Sequence, residues 1–347
     1  MTPLFHPKLV NGPFDDPALY IEFLFEKRAI LFDLGDLHAL APRKLLRVSH
    51  IFVSHAHMDH FVGFDRLVRV CLGRGKSLHF FGPAGFIDRV DSKLKGYSWN
   101  LVHNYEIDLT LTVTEIHAGN QIRTAEFHLL EAFHCKDLGS SLIPSGAPVE
   151  EEGLRINAEI LDHDIPCLAF ALEEKQHINI WKNRLNEIGL RVGPWLRELK
   201  QAVLREDPDD TVFYARWHEG NKFFERKFSL GELKSKILRI VPGQKIGYVA
   251  DAIFQQDNVD KIVDLVKSAD ILFIESAFMD KDAEIAANKK HLTAAQAGRI
   301  AREAGVKRVV PFHFSPRYSR QPQSLAREVE HAFRSKAYLG DVREVRE

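Results

Sequence analysis

The sequence predicts one α/β domain spanning residues 1–347, with a helical arm inserted at roughly 176–242. Three observations carry that expectation. The first half is dense in short apolar runs with strand periodicity, and the last hundred residues alternate such runs with amphipathic helices. The stretch between them has a different, helical and more polar texture.

Taken in order, "YIEFLF" (20–25) and "AILFDLG" (29–35) read as a hairpin. "HIFVSH" (50–55), "LHFFGP" (78–83), "LTLTVTEI" (109–116) and "AEFHLLEA" (125–132) follow as further strands. Helical spacing interrupts them over 59–73 and 84–95. "PSGAPVEEEG" (144–153) has the composition of an exposed loop. The strand pattern returns at "PCLAFALEE" (166–174). Amphipathic helices are then expected over 178–204 and 229–239, separated by a polar segment around "REDPDDT" (205–211). Beyond residue 244, "KIGYVAD", a helix to about 268, "ILFIES", a helix over 293–304 and "RVVPFHF" alternate, before a final helix near 322–334. The helix at 293 has clear ends: Thr293 and Gln296 make a T-x-x-Q capping box, and Gly305 supplies the stop.

Composition narrows the function classes. A net charge of −1 gives no global attraction to nucleic acid or membrane. Cys71, Cys135 and Cys167 are odd in number and show no CxxC pairing, which fits structural thiols in a reducing compartment. No secretory signal is read at the N-terminus, and no run approaches the ~18 apolar residues of a spanning helix. A cytoplasmic protein without membrane contact is expected.

The chemistry is concentrated in "SHAHMDHFVG" (54–63), directly after an apolar strand. In an extended loop His55 and His57 point to the same side. Asp59 and His60 fall where the chain turns into a helix and project elsewhere. Imidazole and carboxylate are zinc-type ligands. Four such side chains can hardly reach one ion, but they can serve two ions about 3.5–4 Å apart, the spacing of two-metal hydrolases.

This H-x-H-x-D-H run resembles the signature of the metallo-β-lactamase superfamily, and the rest of the chain resembles its ribonuclease Z branch. "FDLG" (32–35) and "DHFVGFDRLVRV" followed by "FFGPAGF" look like the family's flanking motifs. "ILDHDIPCLAF" is similar to the segment that donates a third imidazole, which falls on His163. "KIGYVAD" places a bridging carboxylate at Asp251, "VVPFHFSPRY" places the last ligand at His313, and "KKHLTAAQAG" resembles the family's H-x-T element, with its histidine at His291.

The resemblance implies an αββα sandwich with two Zn2+, for which Mn2+ or Fe2+ could substitute at such ligands. One ion would be held by His55, His57, His163 and Asp251, the other by Asp59, His60, Asp251 and His313. It implies a phosphodiesterase that cuts precursor tRNA on its 3′ side with a metal-activated hydroxide, Asp59 orienting the nucleophile and His291 acting as general acid. Glu275, at the end of "ILFIE", is the candidate carboxylate partner of His291. Residues 299–320 carry six Lys/Arg against one acidic residue, and Arg317 and Arg320 are the candidate phosphate contacts. "NEIGLRVGPWLRELK" (186–200) resembles the family's protruding arm, which grips the tRNA elbow in a partner subunit. That implies a homodimer, with Gly193, Pro194 and Trp195 at the arm's turn and Trp195 as the RNA contact.

The chain also departs from the family pattern. "LVNGPFDDPAL" stands where a Gly-Thr-rich loop is usual, and "VADA" lacks the threonine usual after the bridging aspartate. These changes alter the substrate walls and keep in view a hydrolase of a smaller phosphodiester or ester. An inactive RNA-binding scaffold is the third reading, and the intact ligand set argues against it.

Overall fold

The computed structural model describes residues 4–24, 26–143 and 146–335. Phe25, at the end of one expected strand, and residues 144–145, in the expected loop, lie outside them. Eight strands form the first sheet in chain order: β1 (Phe5–Leu9), β2 (Leu19–Phe23), β3 (Ala29–Phe32), β4 (Val48–Phe52), β5 (Ser77–Pro83), β6 (Thr110–His117), β7 (Gln121–His128) and β8 (Lys136–Leu142). β3 to β6 run parallel, because helices α1 (Pro42–Leu45), α2 (Met58–Phe61), α3 (Phe64–Cys71) and α4 (Phe86–Lys95) occur in the crossovers. Antiparallel pairs close both ends of the sheet.

β9 (Val149–Glu150), β10 (Leu154–Asp162) and β11 (Pro166–Glu174) begin the second sheet. The chain then leaves it for the inserted segment. Here α5 (Lys182–Glu187), α6 (Trp195–Leu204) and α7 (Leu230–Ile237) share the segment with strands β12 (Gln176–Ile180), β13 (Val212–Glu219), β14 (Lys222–Ser229) and β15 (Leu238–Pro242). β12 pairs with β15, and β13 with β14. The insertion is therefore mixed α/β, not helical as expected. Phe213, Ala215 and Trp217 alternate with Tyr214, Arg216 and His218, which is strand periodicity. The Arg, Lys and Glu residues on its outer positions conceal that pattern, and Gly220 at φ 57° makes the two-residue turn.

The chain returns as β16 (Lys245–Val249), β17 (Ile271–Glu275) and β18 (Val309–Phe312), giving the order β18-β17-β16-β11-β10-β9. Helices α8 (Gln256–Val266), α9 (Ala283–Asn288), α10 (Ala294–Glu303) and α11 (Pro322–Arg334) follow in chain order. Both faces of each sheet are covered. Phe32, Phe52, Phe170 and Tyr248 fill the gap between the sheets, with Phe32 stacked on Phe170 at 5.4 Å and on Tyr248 at 5.5 Å. Leu31, Ile51 and Val53 face the first helical layer, and Ile262, Leu272, Ile300 and Leu325 belong to the second. The result is an αββα sandwich. Among the described residues no helix is long and apolar enough to cross a membrane.

Trp195 was expected to contact RNA. Instead it is 1% exposed, packed with Leu185, Leu199, Trp217 and Phe228 in the insertion's own core, its indole N–H donating to the Arg191 carbonyl at 3.0 Å. So large an apolar ring lowers the free energy most by leaving water. Trp195→Ala should destabilise the insertion by about 3–5 kcal/mol. Limited proteolysis within 176–242 would reveal this as faster cleavage, and an unchanged cleavage rate would contradict it.

The end of the sandwich where β3 and β4 begin is polar. Arg28 makes paired 2.6 Å bonds to both Glu151 oxygens and lies 3.2 Å from His50 Nδ1, while His50 stacks on His79 at 4.9 Å. Burial, then the Arg28 and His79 charges, push the His50 pKa down to about 4. An unfolded histidine titrates near ~6.5. The unfolded chain therefore takes up a proton that the folded chain refuses. The corresponding stability is full above pH ~6.5 and is lost as pH falls towards about 4, on the order of 1–3 kcal/mol. Denaturant midpoints at pH 7 and pH 5 should fall less in His50→Gln than in the parent. Equal falls would remove His50 as a source of acid sensitivity.

Candidate metal centre

β3, β4, β16, β17 and β18 all deliver polar residues at or just past their C-terminal ends: Asp33, then His55 to His60, Asp251, Glu275 and His313. The β10–β11 turn adds His163 at the same rim, because β10 runs antiparallel to β11 and β11 antiparallel to β16. Carboxyl ends of strands are where α/β folds expose backbone that later packing leaves free for ligands. His313 sits at φ 59°, Asp33 at φ 57° and Lys290 at φ 64°. Left-handed backbone at a non-glycine residue costs about 1–3 kcal/mol, and here it turns side chains inward at the rim.

Asp251 is 2% exposed and is the hub. Its Oδ2 lies 3.6 Å from His55 Nε2, 3.5 Å from His60 Nε2 and 3.5 Å from His163 Nε2. Its Oδ1 lies 2.7 Å from His313 Nδ1. Asp59 Oδ2 is 3.1 Å from His313 Nε2 and 3.5 Å from His60 Nε2. His57 Nδ1 is 2.8 Å from His55 Nε2. Donor atoms of His55, His57, His163 and Asp251 all lie within 4.8 Å of one another, and so do those of Asp59, His60 and His313. All seven residues picked out as candidate ligands in the sequence thus converge.

The donor set fits divalent cations on two counts. His60 Nε2, Asp251 Oδ1 and His313 Nδ1 are buried without a hydrogen-bond partner, although the last two are close: their alignment is wrong for a hydrogen bond. Orphaned buried polar atoms are rare unless an ion or water satisfies them. The far nitrogens of the same rings are occupied. His60 Nδ1 bonds Asp33 at 2.9 Å and His163 Nδ1 donates to the Lys290 carbonyl at 2.7 Å, while His55 Nδ1 lies 3.0 Å from Ser54 Oγ. A proton fixed on Nδ1 leaves the Nε2 lone pair for a cation.

Asp33 organises this support. It accepts from Ser54 N at 2.6 Å, Ser54 Oγ at 2.9 Å and Tyr248 Oη at 2.8 Å. "FDLG" marked the residue, but its role depends on a tyrosine 215 positions away, which no local pattern reveals.

Electrostatics follow the same geometry. Burial, then the His60 charge, push His55 down to about 2. Burial opposes charge on Asp251 and Asp59, yet the His313 and His60 imidazoles beside them hold both carboxyls below the usual range. Burial likewise opposes charge on His313, but Asp251 raises it to about 10. Cys167 Sγ lies 3.6 Å from His55 Nδ1, and complete burial raises its pKa, so it stays a thiol and not a thiolate ligand.

His291 lies beside the hub, its Nδ1 3.0 Å from Glu275 Oε2 and 3.8 Å from Asp251 Oδ1. Glu275 is fully buried and its other oxygen accepts from Ala252 N at 2.7 Å. Burial would lower the His291 pKa, but the Glu275 carboxylate outweighs it and the net direction is up. Both halves of the expected capping box are present at Thr293 and Gln296, starting α10 two residues after His291.

A cleft of about 280 Å3 opens onto Asp59, His291 and His313, walled by Phe14, Asp15, Asp16 and Lys289. None of these four was picked out from the sequence. The 12–17 loop reaches the rim because Phe314 N donates to the Pro13 carbonyl at 2.6 Å and Phe14 packs edge-on against Phe314 at 5.3 Å. The expected phosphate contacts do not line this cleft: Arg317 is exposed and lies 3.7 Å from Asp282, and Arg320 is exposed. The 3-10 turn Pro316–Tyr318 carries Arg317 away from the rim.

No family model matches the chain. Among named proteins it is similar to ribonuclease Z of Deinococcus radiodurans, 28% identical over 315 residues covering 89% of this chain and 90% of that protein. Ribonuclease Z of Thermoplasma volcanium is 29% identical, covering 83% and 78% respectively. Among solved structures, a metallo-β-lactamase-fold protein of Bacillus subtilis superposes with a TM-score of 0.52 at 14% identity, over 94% of each chain. The short form of human tRNase Z superposes with a TM-score of 0.50 at 18% identity, covering 91% of this chain and 93% of that one. The chain has the metallo-β-lactamase fold, and over most of its length its sequence is similar to that of ribonuclease Z proteins.

Proposed function

We propose that this protein is a metal-dependent endoribonuclease of the ribonuclease Z type, acting in the cytoplasm on the 3′ side of precursor tRNA. The observation that carries the reading is the convergence of six imidazole and carboxylate side chains on Asp251. His55, His57, His163 and Asp251 would hold one Zn2+, and Asp59, His60, Asp251 and His313 the other. Such cations supply Lewis acidity, lowering the pKa of a coordinated water towards ~7 and offsetting charge on phosphodiester oxygens.

The chain's own groups do the rest. Asp59, part-exposed at the cleft, accepts a hydrogen bond from the attacking water and orients it. His291, its pKa raised by the Glu275 carboxylate, donates to the departing 3′-oxygen. Lys289 supplies the positive charge of the cleft wall in place of Arg317 and Arg320. The outward face of the β13–β14 hairpin interleaves Tyr214, Arg216 and Lys227 with Phe223, a composition suited to RNA. In a homodimer this arm would hold RNA that the partner cuts.

The cleft also favours a second reading. Asp15 and Asp16 put carboxylates on one wall, which opposes a polyanion, and the volume is small. Hydrolysis of a smaller phosphodiester is the activity such a cleft suits. Incubating the zinc-loaded protein with a 3′-extended tRNA precursor and with a chromogenic phosphodiester separates the two. Precursor cleavage, lost with chelator and regained with Zn2+, is expected. Cleavage of the small ester alone would replace the first reading by the second.

A further inference from the structure

A second cleft lies away from the metal centre. A cleft of about 840 Å3 lies where α6 of the insertion faces the sandwich, and it shares no lining residue with the metal-site cleft. Its place in the fold separates it further. Arg28, which lines it, precedes β3, whereas the metal-site residues follow the ends of β4, β16 and β18. Because β3 and β4 are parallel, the two sites occupy opposite ends of the sandwich.

The floor is apolar, built from Phe23 and Leu154 of the sandwich, Ile178 of β12, and Leu196 and Leu204 of α6. Several charges around it are already paired, Arg28 with Glu151 and Glu150 with Arg155 and Lys175, and Glu174 lies 2.7 Å from His177 Nδ1. Glu26 and Glu152 are exposed at the rim. Lys200 differs. It is half-buried, one turn along α6 from Leu196, and no described residue gives its ammonium an ion pair or hydrogen bond. Burial also lowers its pKa, despite the opposing charge of Glu174.

A part-buried cation with no direct partner at the edge of an apolar floor is stabilised by an anion that pairs with it. The volume falls within the ~300–1,000 Å3 typical of small-molecule sites. We propose that this cleft binds an amphipathic monoanion, whose hydrocarbon or aromatic body lies on Phe23, Leu154, Ile178 and Leu204 while its carboxylate or sulfonate meets Lys200. Since α6 forms one wall and the sandwich the other, an occupant ties the arm to the body.

The anionic naphthalene dye 1-anilinonaphthalene-8-sulfonate reports on this directly, using the full-length metal-loaded protein. One dye per chain should bind, and dodecanoate should displace it while dodecyltrimethylammonium and inorganic phosphate do not. Lys200→Glu should weaken dye binding by about tenfold or more, Lys200→Arg should keep it, and Leu204→Trp should fill the floor and abolish it. Circular dichroism melts confirm that the variants fold, and His60→Ala should leave dye binding unchanged. Displacement by the cationic surfactant as readily as by dodecanoate, or indifference of the dye to both Lys200→Glu and Leu204→Trp, would overturn the proposal. Neither result depends on the ribonuclease activity.

Discussion

Asp251→Asn is expected to lower turnover by about three orders of magnitude or more and to leave fewer than two ions per chain by elemental analysis. The carboxylate lies within 3.6 Å of donor nitrogens on His55, His60, His163 and His313, so it serves both halves of the site. An amide keeps the shape but loses the negative charge that offsets two divalent cations. Several kcal/mol of transition-state stabilisation by the metals would go with it. Two ions per chain and near-parental turnover in this variant would dismiss Asp251 as the bridge.

His291→Ala should keep its metal content yet slow cleavage of the tRNA precursor by about two to four orders of magnitude. His291 does group with Asp251, Glu275 and His313, but its Nδ1 is engaged by Glu275 at 3.0 Å, and it belongs to neither the group of His55, His57, His163 and Asp251 nor that of Asp59, His60 and His313. A ribose 3′-oxygen leaves poorly without a proton, whereas nitrophenolate leaves well without one. The same variant should therefore lose much less on a nitrophenyl phosphodiester. An equal loss on both substrates would point to a positioning role and not to proton donation. Glu275→Gln should share the same selectivity in weaker form, because its carboxylate, 3.0 Å away, raises the pKa of the imidazole.

The candidate ligands were legible in two ways: His55 to His60 as a run directly after an apolar strand, and His163, Asp251 and His313 through the resemblance of their short motifs to those of the family. His55 to His60 are adjacent in the chain, and strand geometry alone separates their directions. Strand ends also fixed His163, Asp251, Glu275 and His313 at one rim once the sheets were assembled. What stayed hidden depends on tertiary contact. Phe14, Asp15 and Asp16 reach the cleft only because the Phe314 amide holds the 12–17 loop, an interaction across some three hundred residues. Trp195 was misread because a glycine-proline turn before an aromatic looks alike whether the ring faces solvent or core. The β13–β14 hairpin was missed because its charged outer positions give helix-like polarity to a period-two pattern.

Asp59 and His313 meet at 3.1 Å although 254 residues separate them, one following β4 of the first sheet and the other β18 of the second. Ions seated between them would act as a clasp across the seam of the sandwich, joining halves of the chain that otherwise pack through aromatic and aliphatic side chains. Chelation should then loosen more than catalysis: it withdraws mass-action stabilisation from the native state, so the melting point should depend on free zinc. Such a clasp can close only after both sheets have formed, which places metal capture late in folding.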